Sequence, residues 1–231
     1  MAGRIAGKLL AASALCGAVL AAPAQDQQVV LGGVADLTRV RDELSKAQII
    51  PTVIDDFEPI LGLSAEWDSS NAADLGNTLK PADLQSAPSV SLVKGSGFPG
   101  IRITTTYVLT LTDPDAPSRD NPKWSEFCHW IATGVSSSSA GAKPAVEDVV
   151  EYKPPGPPAK TGKHRYVFLV WVPANGTTER LNLSKPEERK HWGGEEGGGV
   201  RNWAKENGLI PVAANFIYAQ NEKQSLSTTH I

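Results

Sequence analysis

The sequence predicts a mainly β protein with a few short helices. Three observations carry this reading. Within 231 residues, 21 Gly and 17 Pro punctuate the chain too densely for long helices. Residues 101–113 alternate apolar and polar side chains, and residues 164–172 are apolar and β-rich at nearly every position. With 41% apolar residues the chain has enough material for a core.

In chain order, Arg4 and Lys8 precede an uncharged apolar run from Leu9 to Leu20 that ends in Ala21-Ala22-Pro23-Ala24. This is the layout of a secretory signal peptide. Residues 1–24 are therefore expected to be removed, leaving 25–231 as a single domain in the secretory pathway, extracellular or vacuolar. The run is too short to cross a bilayer, and nothing later reaches that length, so no transmembrane segment is expected after signal removal. Cys16 leaves with the signal, and Cys128, the other of the 2 cysteines, is left without a disulfide partner.

Asp36 to Ala47 places Leu37, Val40, Leu44 and Ala47 on one face and predicts a helix. In 101–113, Ile101, Ile103, Tyr107, Leu109 and Leu111 share one parity and mostly Thr the other, as in a half-buried strand. Residues 164–172 read as a central strand covered on both faces. Ser184 and Glu187 form a capping-box pattern over a short helix at 186–191, and Val200, Trp203 and Ala204 before Gly208 predict another. Residues 212–219 read as a late strand. Ser136 to Ala145 and the Gly-rich 193–199 read as surface loops.

Charge excludes one class of partner. With 25 acidic against 22 basic side chains the net charge is −3, and no basic patch marks a nucleic-acid surface. Asn175-Gly176-Thr177 and Asn182-Leu183-Ser184 are glycosylation sequons if the secretory reading holds.

Polar chemistry gathers in two segments. Asp113 follows the core-facing row of Leu109 and Leu111, where a carboxylate needs a partner, and Pro114 and Pro117 then stop the strand and stiffen the turn. The second segment passes through Pro154-Pro155-Gly156-Pro157-Pro158. Beyond it, His164 and Tyr166 project from one strand face about 7 Å apart. Gly156 has no side chain to block close approach to the backbone.

The runs Asp113-Pro114-Asp115-Ala116-Pro117-Ser118-Arg119, Glu126-x-x-His129, Gly156-Pro157-Pro158 and Gly162-x-His164-Arg165-Tyr166-Val167-Phe168 occur in this order. Together they resemble the signature of the phosphatidylethanolamine-binding protein family, which includes the Raf kinase inhibitor protein and the fungal carboxypeptidase Y inhibitor. Looser matches follow at Arg201-Asn202-Trp203 and Ala214-Asn215-Phe216. The resemblance implies a large antiparallel sheet packed with a smaller one, a few peripheral helices, and a small anion pocket at the strand ends. It assigns that pocket to Asp113, His129, His164 and Tyr166, with Trp124 at the rim and Gly156 in the loop. Two residues depart from the family pattern: Pro154 stands where many relatives have Gly, and Cys128 where animal relatives often have His.

Two imidazoles, a phenol and loop N–H groups are the donors a phosphate needs. Asp113 is expected to hold one histidine cationic while phosphate takes its far side, with affinity weakening above about pH 7. Asp115 is a further candidate, for the ammonium of an ethanolamine head group, although an ion pair with Arg119 is its plainer role.

The leading function is thus a non-catalytic protein that binds phosphate or a phospholipid head group without a cofactor. The alternative is a proteinase inhibitor resembling the carboxypeptidase Y inhibitor, with a serine carboxypeptidase or other proteinase as partner. A third class, a hydrolase or zinc enzyme built on Asp113, His129 and His164, lacks an evident nucleophile. No metal site is expected.

Overall fold

The computed structural model describes residues 37–94, 107–135 and 146–222. The signal-like segment 1–24, Asp36, residues 101–106 and the Ser-rich loop lie outside the described residues.

The first helix, α1, spans Leu37–Lys46, with Leu37, Val40 and Leu44 on its buried face. Strands β1 (Leu61–Glu66) and β3 (Ser89–Lys94) pair antiparallel as a two-stranded sheet. A six-stranded sheet takes the order β2-β8-β7-β4-β5-β6. Its members are β2 (Asn77–Thr78), β4 (Tyr107–Asp113), β5 (Phe127–Val135), β6 (Glu147–Val150), β7 (Lys163–Pro173) and β8 (Leu209–Gln220). A second helix, α2, covers Val200–Glu206 and stops before Gly208, whose φ of +64° suits a residue without Cβ. The large and small sheets and short helices match the expected architecture.

Each face of the large sheet has its own core. On one face Val108, Val167, Leu169, Trp171 and Phe216 pack with α1, α2, Trp192 and Trp203. On the other, Leu109, Leu111, Tyr166, Phe168 and Val170 pack with the small sheet. The buried Asn215 ties the layers together: its Nδ2 donates to the carbonyls of Leu63 and Ala73, and its Oδ1 accepts from the Leu75 amide. These bonds explain why a polar residue is tolerated there.

The alternation in 107–113 is real, but the strand is buried on both faces rather than half-buried. Thr110 and Thr112 are inside because each hydroxyl has a partner. Thr110 accepts from Trp171 Nε1; Thr112 accepts from Trp192 Nε1 and donates to Glu126 Oε2.

The helix expected at 186–191 is absent, and a 3₁₀ turn at His191–Gly193 stands next to its place. The capping box does not form: the Ser184 amide and hydroxyl both bond the Asn207 side chain, holding this segment to the end of α2. The Gly-rich segment is not simply a surface loop. Gly199 is buried, and a Cβ there would lie 2.1 Å from Glu126 Oε1. The two sequon asparagines, Asn175 and Asn182, are exposed.

Candidate functional site

Strand β4 delivers Asp113, β5 delivers His129 and β7 delivers both His164 and Tyr166 to a shared recess, and the 153–158 loop closes it. The cavity holds about 220 Å³ and is walled by Asp113, Trp124, Phe127, His129, Lys153, Gly156, His164 and Tyr166, with prolines between them. Asp113, His129, His164, Tyr166, Trp124 and Gly156 are thus brought together as the sequence predicted.

His129 reaches the recess through an irregularity in β5. Leu111 pairs with Trp130 and Thr112 with Cys128, so His129 is the extra residue of a β-bulge. Lys153 is tied to it twice: its amide donates to the His129 carbonyl at 2.8 Å, and its own carbonyl meets His129 Nδ1 at 2.7 Å. Tyr166 stands edge-on to the imidazole, with ring centroids 5.1 Å apart.

His164 is held differently. Its Nδ1 lies 2.9 Å from Asp113 Oδ2, and its Nε2 lies 2.9 Å from Thr161 Oγ1. Thr161 donates its one hydroxyl proton to the Pro158 carbonyl, so it accepts from the ring. Both ring nitrogens are therefore engaged, Nδ1 with the Asp113 carboxylate and Nε2 with the Thr161 hydroxyl. Asp113 is steadied in turn by the Asp115 amide on Oδ1.

Asp113 thus partners one histidine as expected, but the far side of that ring is closed by Thr161. The ring open to the recess is His129, and there the expected pH dependence needs correcting. Burial pushes the His129 pKa down to about 4, outweighing the pull of Asp113, so the imidazole is neutral at pH 7. Burial also raises the Tyr166 phenol well above its usual range, so it stays protonated beside Asp113 and the Gly156 backbone.

Asp115 does not line the recess, and its partner is not Arg119. It forms a buried two-pronged pair with Arg165, Nη2 to Oδ1 at 2.6 Å and Nε to Oδ2 at 2.9 Å. Arg119 instead donates to the Gln48 side chain. The pair places an anchor directly between His164 and Tyr166 in sequence. Cys128 is fully buried and its thiol is pushed up to about 12, as suits an apolar filler.

Sequence reasoning missed Lys153, Phe127 and Thr161, none of which stands in a polar row. It also missed the cations at the rim: Lys190 and Lys123 lie 4.9 and 5.8 Å from the centre of the Trp124 ring. With both His164 nitrogens engaged, Asp113, His129 and His164 do not present a three-ligand zinc set. A larger cavity of about 430 Å³ lies beside the Gly-rich segment, but Glu195, Glu196 and Glu206 around it would repel an anion.

Comparison with known proteins supplies the context for this geometry. A family model for phosphatidylethanolamine-binding protein matches residues 69–217. The carboxypeptidase Y inhibitor of Saccharomyces cerevisiae is 34% identical over 209 residues, covering 78% of this chain and 94% of the inhibitor. CEN-like protein 1 of Nicotiana tabacum is 32% identical, covering 80% of this chain and 95% of that protein. Among solved structures, a carboxypeptidase Y inhibitor complexed with its cognate proteinase superimposes with a TM-score of 0.71 at 33% identity, covering 81% of this chain and 97% of that one. A Plasmodium vivax phosphatidylethanolamine-binding protein shares the fold, with a TM-score of 0.60 at 22% identity, covering 78% and 97%.

Proposed function

This chain belongs to the phosphatidylethanolamine-binding protein family, and from that premise we propose that its recess binds the phosphate of a small ligand or phospholipid head group without catalysing a reaction. One observation carries the reading: two imidazoles, a phenol and Lys153, from three separate parts of the chain, line one small cavity. Lys153 supplies a positive charge, while Trp124 and the prolines give the apolar wall that ligand pockets generally have. The Cys128 thiol is buried, does not line the recess and has its pKa raised, so it does not serve as a nucleophile there.

Calorimetric titration with phosphorylethanolamine tests this reading. A single saturable site is expected, and His129→Ala should weaken it at least about tenfold, the equivalent of about 1.4 kcal/mol. Undiminished affinity in that variant would place the ligand elsewhere.

A second reading, proteinase inhibition, is favoured by similarity along 94% of the yeast inhibitor. Mixing the purified protein with carboxypeptidase Y at equal concentrations should then remove most peptidase activity. Full activity at excess protein would eliminate this role toward that enzyme.

A further inference from the structure

We infer that the recess selects a phosphate monoester over a phosphodiester, because His129 Nε2 presents a lone pair that a ligand proton must meet. This rests on the phosphate-binding reading above and narrows its ligand class.

The Lys153 carbonyl can only accept, so His129 Nδ1 carries the proton of the neutral ring and Nε2 carries none. His129 is only 5% exposed, and among the described residues its Nε2 has no hydrogen-bond partner although the ring lines the cavity. His164 offers no such opening, with Asp113 on one nitrogen and Thr161 on the other. The ring nitrogen left for a ligand is therefore an acceptor.

The surrounding groups keep it so. Asp113 on β4 favours protonation of His129. Lys153 beyond β6 and Arg189 before the 3₁₀ turn oppose it, and burial opposes it most. From β7, Tyr166 stays protonated and His164 is engaged with Asp113. The imidazole thus remains neutral through the physiological range.

A phosphate monoester has a second pKa near ~6, so at neutral pH it holds or readily gains a P–OH that can donate to Nε2. Its remaining negative charge would lie in a recess that Lys153 helps to line. A diester has no such proton and would set an oxygen lone pair against the nitrogen lone pair. The proton balance follows: the complex contains one proton on the line between the phosphate oxygen and Nε2. Above the second phosphate pKa that proton comes from solvent. An intact phospholipid head group carries a diester, so the favoured ligand is a phosphorylated small molecule with a terminal phosphate.

Methyl phosphate and dimethyl phosphate isolate this difference, titrated calorimetrically into the full-length protein. At pH 6 methyl phosphate should bind at least about tenfold more tightly. Between pH 6 and pH 8 its affinity should fall about fifty-fold, following the monoanion fraction. At pH 7.5, titrations in buffers of different ionisation heat should give close to one proton taken up per ligand. His129→Gln, whose amide donates without titrating, should bind both ligands with no proton uptake. Equal affinities for the two esters, or monoester binding with no proton uptake at pH 7.5, would overturn the selectivity while leaving phosphate binding intact. Absence of binding by either ester at every pH would overturn both readings.

Discussion

Replacing Arg165 with methionine should destabilise the protein by about 3–5 kcal/mol, read as a drop in the urea midpoint at unchanged slope. The size follows from what the guanidinium leaves behind. Asp115 is 1% exposed and would lose both side-chain contacts, keeping the backbone amide of position 165 on Oδ2. The carbonyls of Ala47 and Gln48, which accept from Arg165 Nη1 just beyond α1, would lose that donor. A buried carboxylate without its cation costs far more than the pair contributes. Adding Asp115→Leu to Arg165→Met should therefore recover a large part of the loss. Arg165→Lys should fall between, since an ammonium cannot bridge both carboxylate oxygens and the helix-end carbonyls at once. A loss below about 1 kcal/mol in the methionine variant would mean that the pair is not a keystone.

Glu126→Gln should leave stability unchanged near pH 4.5 and raise it by about 3 kcal/mol at pH 8 relative to the parent protein. Burial raises the Glu126 pKa from its usual 4.5 to about 7, opposed by the Thr112 hydroxyl and the Val200 amide. The folded state therefore holds a proton that the unfolded state has lost. Its contribution is complete below pH 4.5, declines as pH rises, and is gone above about pH 7. That interval, at 1.36 kcal/mol per pH unit, gives the predicted difference. His129 has the opposite sign: with its pKa pushed down to about 4, the folded state resists protonation and stability falls as pH drops from about 6.5. The two slopes oppose each other between pH 4.5 and 6.5, giving the parent a flat profile there that the glutamine variant should lose. Identical pH profiles for parent and variant would show that burial does not shift Glu126 from its unfolded-state pKa.

Much of the frame was readable from patterns of two and 3.6. The doubly covered β7, the buried face of α1, the late strand β8 and the small helix α2 each follow from side-chain periodicity. The shared parity of His164 and Tyr166 survives as a stacked pair with ring centroids 6.4 Å apart. Features that depend on distant partners were not readable. A threonine row looks like a solvent face until Trp171 and Trp192 arrive from other segments to satisfy it. Asp115 lies nearer in sequence to Arg119 than to Arg165, yet the two sheet-end neighbours pair because β4 and β7 run side by side. The bulge that aims His129 leaves no mark in a sequence read one strand at a time. The capping pattern at Ser184 and Glu187 was locally correct and lost to Asn207, whose amide takes both polar groups of Ser184.

The wall of the recess contains Pro117, Pro154, Pro157 and Pro158. Locked pyrrolidine rings surrender little conformational freedom when a guest arrives, so the usual entropic toll of ordering a loop has already been met during folding. Such a mouth cannot remould itself around bulky visitors. For the binding proposed above, such a wall favours compact molecules over those that require it to yield.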